Sequence, residues 1–295
     1  MQYYQLLSQF EQYLRVERNL SDRTRKAYLY DLNRLYEHLV TLLGRMPRLD
    51  QITTDALREY LNYLQLERGY KSTTLARVIS SMKHFFDFAV EREVIEKSPA
   101  ARLRTPKQPQ RLPIYLTSQE LGRLLASPKA DDPGGLRDRA ILTTLAFTGM
   151  RLSEIVGINL SDVDLINRAV RVLGKGDKER IIPLNDVVTR AINDYLNVRL
   201  LSDSPALFLS RSGRRLTGRA VEYIVRKYAL QSGVFKEGIS PHKLRHTFAT
   251  LLHANEVDLI EIKSLMGHAN IASTQIYTHT SNSRLRTAVK KLENL

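Results

Sequence analysis

The chain contains no cysteine among its 295 residues. Disulfides, thiolate nucleophiles and thiolate metal sites are thereby excluded, and no argument for secretion remains. Nor is there a run of about 18 or more apolar residues of the kind a membrane-spanning helix requires. The opening stretch, MQYYQLLSQFEQYLRVER, has no apolar signal core. A cytoplasmic protein with no membrane partner is expected. Low-complexity tracts and repeats with a period of about 20–50 residues are absent too. With 43% hydrophobic and 26% charged residues, the chain has the composition of ordinary globular protein. Its length fits two domains of roughly 150 residues.

Acid is the scarcer charge. Thirty-one Asp and Glu stand against 45 Lys and Arg, a net +14, and such a balance favours polyanionic partners, nucleic acid first. The excess is not a detachable tail. Residues 1–108 hold 18 basic and 13 acidic side chains, and residues 109–295 hold 27 and 18.

Residues 1–98 read as a helical domain. Leu6, Phe10, Tyr13, Leu14 and Val16 recur at helical spacing over 3–18. Ser21 is placed to cap a second helix through Leu43 that Gly44 closes. A third helix follows Thr53 and Thr54 and stops near Gly69, and a fourth starts at Ser72 or Thr73 with Val78, Met82, Phe85, Phe86 and Ala89 on one face. Residues 99–112 form a basic, proline-rich linker without sustained periodicity. The second domain, 113–295, opens with Thr117 or Ser118 as a cap and Glu120 placed to bond back to it. Helices are expected at about 118–127, 136–149, 186–200, 217–232, 241–254 and 257–266, with a short piece at 271–276 and a terminal helix over 282–295. Two short strands flank the turn Gly174-Lys175-Gly176-Asp177-Lys178. The fold class is therefore mainly α with a small antiparallel sheet in the second domain, an α+β arrangement.

Four distant segments of the second domain carry the candidate chemistry: FTGMRLSEI (147–155), LGKGDKERIIPL (173–184), SPHKLRHTFAT (240–250) and LMGHANIASTQIYTH (265–279). Alone, each has a bland reading. Arg151 at a helix boundary is a surface arginine, Lys175 is a solvated turn lysine, and Tyr277 is one of 14 tyrosines. His242 and Arg245 are three residues apart behind Ser240-Pro241, so a helix starting there puts both on one face of its first turn. His246 is rotated about 100° from that face and packs or meets solvent. His268 follows Gly267, which reads as a helix stop, and precedes Tyr277 by nine residues. A metal site is the rival reading for His242, His246, His253, His268 and His279, but no HExxH or comparable spacing supports it.

Together the four segments resemble the tyrosine recombinase (phage integrase) family, and the resemblance extends over nearly the whole chain. SDRTRKAYLYDL (21–32) and KSTTLARVISSMKHFFDFA (71–89) are similar to the family's core DNA-binding domain. The resemblance implies a two-domain clamp on double-stranded DNA that cuts and rejoins the backbone through a 3′-phosphotyrosine, with no cofactor and no metal. By that resemblance Tyr277 is the nucleophile, Arg151 and Arg245 are the phosphate clamps, and Lys175 is the general acid for the departing 5′ oxygen. Lys178, on the same turn, is easily confused with it. His242 becomes a proton acceptor or phosphate donor, and His268 bonds the scissile phosphate. Glu154, three residues beyond Arg151, is placed to orient this region by hydrogen bonding, a supporting and not a catalytic role. In the first domain Arg23, Arg25, Lys26, Lys71 and Arg77 are expected to meet DNA.

The resemblance further implies a homo- or hetero-tetramer with a related recombinase on paired recombination sites, the 282–295 helix being exchanged between protomers or docked on its own core. With no module read ahead of the core-binding domain, the chain looks most like the Xer recombinases, which resolve chromosome or plasmid dimers, and a nucleoid-associated location follows. A phage- or transposon-borne integrase is the close alternative. A type IB topoisomerase and a non-catalytic DNA-binding protein are the remote ones.

Overall fold

In the computed structural model, which describes residues 3–106, 114–174, 179–236 and 238–267, the chain divides into two units, 1–111 and 112–295. The architecture is mainly helical with one small antiparallel sheet, as the sequence patterns indicate. Among the described residues no helix is long and apolar enough to cross a membrane.

The first unit contains α1 (Tyr3–Val16), α2 (Asp22–Leu43), α3 (Thr54–Leu66) and α4 (Ser72–Glu91). Local chemistry sets their ends. The Ser21 hydroxyl accepts from the Thr24 amide, the Thr53 hydroxyl accepts from the Ala56 amide, and Gly44 takes the left-handed conformation that stops α2. Apolar stripes converge on Phe10, Leu32, Leu35, Leu57, Met82, Phe85 and Phe86. Tyr3 stacks on Tyr36 with ring centroids 3.8 Å apart and donates its hydroxyl proton to the Leu32 carbonyl. Ala100 and Leu103 also pack into this core, so it continues past Ser98.

The second unit begins with α5 (Ser118–Ala126), where Thr117 and Glu120 exchange the reciprocal bonds of a capping box. Next come α6 (Pro133–Thr148) and the short α7 (Leu152–Gly157). Strands β1 (Val163–Asp164), β2 (Ala169–Leu173) and β3 (Glu179–Pro183) form an antiparallel sheet in sequence order, with Val170 opposite Ile182 and Val172 opposite Arg180. The remaining helices are α8 (Asp186–Leu196), α9 (Gly218–Gln231), α10 (Pro241–Ala254) and α11 (Leu259–Met266).

Three elements differ from the sequence reading, the third being β1, a two-residue strand too short to leave a signal of its own. Helix α6 starts at Pro133, not 136, because Asp132 caps it and its carboxylate accepts from the Gly135 amide. In the first turn of α6 a side chain at Gly135 would meet the Lys129 carbonyl oxygen at 2.0 Å. Glycine is there for close packing. Helix α7 is too short to leave a periodic signal.

Helix α6 is the hub of this unit. Residues 140–148 are all buried, and they lie in one core with Val188 and Ile192 of α8 and Leu244, Phe248 and Leu252 of α10. Its exit is Gly149 at φ +60°, where an added methyl would lie 2.4 Å from the fully buried Phe248 ring. This sharp exit aims Met150 inward and delivers Arg151 to the start of α7. Gly149→Ala is expected to cost at least about 2 kcal/mol, from left-handed strain and overpacking together. Urea unfolding at equilibrium measures this, and an unchanged midpoint would contradict it.

Candidate active site

The site is organised by one buried carboxylate. Glu154, in the first turn of α7, is only 5% exposed and accepts four hydrogen bonds. Its Oε1 takes Arg151 Nη1 at 2.9 Å and Arg180 Nη1 at 2.8 Å, and its Oε2 takes the Arg151 backbone amide at 2.8 Å and Arg180 Nη2 at 2.9 Å. These bonds occupy the lone-pair sites of an ionised carboxylate, so Glu154 has no capacity left for proton transfer. Burial alone would raise its pKa, but bonds from Arg180 and then Arg151 outweigh burial and hold it below the usual glutamate value.

Carbonyls at helix ends place the two arginines of interest. Arg151 Nη2 donates to the Gly267 carbonyl at 3.0 Å, and Arg245 Nη2 donates to the neighbouring Met266 carbonyl at 2.6 Å. These oxygens close α11, whose last turn ends at Gly267 with φ +61°. Arg245 Nη1 donates to the carbonyl of Gly149, where α6 ends. Orphan carbonyls and the negative ends of two helices are thus turned on guanidinium groups. Arg245 is 5% exposed, and its pKa is lowered to about 10, by burial first and then by Arg151, with Arg180 adding to the repulsion. It still stays protonated at neutral pH.

Three guanidinium groups surround one carboxylate, and the cluster carries a surplus of positive charge. Arg151 and Arg245 retain N–H donors beyond those bonded to protein. Such a site suits a tetrahedral or pentavalent oxyanion, which a planar cation can bond through two oxygens at once.

His242 stands at the second position of α10, exposed and without a hydrogen bond among the described residues, one turn before Arg245. His246 is half-buried with its Nε2 unpartnered, and its pKa is lowered by burial, then by Lys243 and His242. Lys175, Lys178, His268, His279 and Tyr277, and the terminal segment 282–295, lie outside the described residues. Arg180 belongs to the cluster but escaped the sequence reading. Its signal was the strand period: Arg180 alternates inward with the buried Ile182, while Ile181 between them is exposed.

In the first unit, Arg23 and Lys71 are exposed and have no ion pair among the described residues, and Lys26 is exposed and paired with Asp22. Arg25 and Arg77 are committed within the protein. Arg25 donates to the Leu20 carbonyl and to Asp22, and Arg77 pairs with the buried Asp31 and donates to the Ala27 carbonyl.

Removing one member of a buried ionic cluster leaves the others uncompensated. Glu154→Gln is expected to destabilise the fold by about 3–5 kcal/mol at neutral pH. Because the folded-state pKa is depressed, this stabilisation is complete above the ordinary carboxylate range and is lost as pH falls through the depressed value. Unfolding of both proteins across that range should show the gap closing in acid, and a pH-independent gap would contradict it.

Known proteins match this chain over most of its length. The description "Phage integrase family" matches residues 115–284, and "Phage integrase, N-terminal SAM-like domain" matches residues 7–93. Tyrosine recombinase XerD of Proteus mirabilis is 38% identical over 95% of this chain and 90% of its own length. The crystal structure of XerA recombinase is 31% identical, covers 96% of both chains and gives a TM-score of 0.51. XerH recombinase, solved as a post-cleavage complex with palindromic difH substrate, is 26% identical over 96% of this chain and 83% of its own, with a TM-score of 0.73. The chain therefore belongs to the phage integrase family, the tyrosine recombinases that break and rejoin DNA, and within it to the Xer type.

Proposed function

We propose that Arg151 and Arg245 bind the non-bridging oxygens of a scissile phosphate in double-stranded DNA while Tyr277 attacks the phosphorus. The observation that supports this reading best is that both guanidinium groups hang from adjacent carbonyls at the end of α11. Two side chains 94 positions apart in sequence are thereby fixed on one ledge. In that reaction the Tyr277 oxygen forms a bond to phosphorus, and the bond to the 5′ oxygen breaks. The phenol loses its proton to His242 or a neighbouring base, and Lys175 protonates the departing oxygen. An unperturbed phenol has a pKa of about 10, so the surplus positive charge of the cluster is what makes it a usable nucleophile. His268 completes the phosphate contacts. The products, a 3′-phosphotyrosine and a free 5′-hydroxyl, conserve the phosphodiester energy, so a second hydroxyl can reverse the step. No energy source is needed.

The relatives extend this reading. XerH is seen on its DNA substrate, and we take paired DNA sites as the substrate of this chain, bound by a tetramer of identical or related recombinases. Resolution of chromosome or plasmid dimers is the reaction this organisation serves. In the first unit, Arg23, Arg25, Lys26, Lys71 and Arg77 are the cations proposed to meet phosphates, with Arg25 and Lys26 sharing Asp22 and Arg77 paired with Asp31. Arg25 also bonds the start of α2, and Arg77 also ties α4 to α2.

Tyr277→Phe is expected to bind duplex DNA as the wild type does while forming no covalent adduct. Trapping on a nicked suicide duplex followed by a denaturing gel tests this, and an adduct persisting in the variant would overturn the assignment. Arg151→Ala and Arg245→Ala should slow adduct formation by about 10²–10³-fold, the range for losing one donor to a developing oxyanion.

A further inference from the structure

We infer that Arg180 is a positioning residue of the strand-transfer reaction, fixing the guanidinium of Arg151 through the carboxylate they share. The inference rests on the reading of Arg151 as a phosphate clamp. Three features of its geometry set it apart from an ordinary strand cation. First, both of its Nη atoms bond Glu154, one to each oxygen at 2.8 and 2.9 Å, a planar two-point contact that leaves the carboxylate no rotational freedom. Arg151 is then read off the same two oxygens, by its amide and by its Nη1. Second, Arg180 packs under the turn that closes α11: a methyl on Gly267 would lie 2.9 Å from its Cζ. That same turn supplies the carbonyls that hold Arg151 and Arg245. Third, its Nε is buried and has no partner among the described residues.

Stability alone gives no reason for this arrangement. A buried ion pair roughly breaks even against apolar packing. A third guanidinium beside one carboxylate adds repulsion, and Arg180 is among the groups that depress Arg245. The surplus becomes favourable when an anion arrives. Arg180 therefore does two things for Arg151: it prevents Glu154 from turning away, and it keeps that carboxylate ionised against its burial. The charged groups facing Glu154 are Arg151 at the start of its own helix, Arg180 from β3 and Arg245 from α10.

The test compares wild type, Arg180→Gln, Arg180→Lys and Tyr277→Phe for the rate of covalent adduct formation. The probe is a nicked duplex built on the site where the wild-type protein forms adducts in sheared genomic DNA of its host. Arg180→Gln should slow the reaction about ten- to a hundredfold, as expected for a misplaced catalytic group, with duplex affinity changed less than about twofold. Its rate relative to wild type should fall further as pH is lowered, because Glu154 now protonates more readily. Arg180→Lys, which keeps the charge and one donor to the carboxylate, should recover part of the rate and part of the acid tolerance. An Arg180→Gln rate equal to wild type overturns the inference, and so does a deficit that is the same at every pH. If Arg180→Gln loses its near-ultraviolet dichroism, Arg180→Lys carries the test, and a wild-type rate and pH profile there overturns it. An adduct that persists in Tyr277→Phe indicts the strand-transfer reading itself, and that outcome is distinct from any Arg180 result.

Discussion

The carboxylate of Glu154 is the interaction on which the second unit's chemistry depends. Four donors converge on it, and every other placement follows from theirs. The bond from the Arg151 amide starts α7, the bond from Arg151 Nη1 swings the guanidinium toward α11, and the two bonds from Arg180 tie the sheet to the same point. Its negative charge is also what allows three arginines to share one neighbourhood in a folded protein. The cluster is then undercompensated by design of its composition, and the missing negative charge is left for a ligand to bring. Preorganised cations of this kind stabilise charge that develops during reaction without having to rearrange for it.

Helix ends do the rest of the positioning. The carbonyls of Gly149, Met266 and Gly267 would be orphans where α6 and α11 stop, and arginine satisfies them instead of water. Elsewhere the same device serves structure alone. Arg215 donates to the Val156 and Ile158 carbonyls at the end of α7, and Arg199 gathers the Ser204, Ala206 and Leu207 carbonyls of one loop. A net charge of +14 thus overstates the cations available to DNA. The partner class is still set by the sign of the surplus, since the chain has no comparable acidic excess.

Much of this was legible in the sequence. Caps at Ser21, Thr53 and Thr117 are local chemistry, readable from residue type and spacing, and they fall where the patterns place them. Arg151 and Arg245 were singled out by motif, and Glu154 by its offset of three from Arg151. What escaped was whatever tertiary packing decides. The bare backbone at Gly135 was not legible, because nothing local shows the Lys129 carbonyl that demands it. The pairing of Arg77 was not legible, because Asp31, its partner 46 positions away, sits on the buried stripe of another helix. Arg180 sat in plain view on the inward phase of a strand, but a cation there is informative only once its buried carboxylate is known. Local rules reach about one helical turn, and function here is assembled across more than a hundred residues.

The central claim is that this cation cluster serves a phosphate under attack by Tyr277, and its most direct measurement is the identity of the residue that carries DNA. The wild-type protein is trapped on the nicked duplex, the adduct is digested with nuclease and protease, and the peptides are sequenced by mass spectrometry. A nucleotide joined through its 3′ phosphate to Tyr277 is expected. A nucleotide on any other side chain, or one joined through its 5′ phosphate, would contradict it.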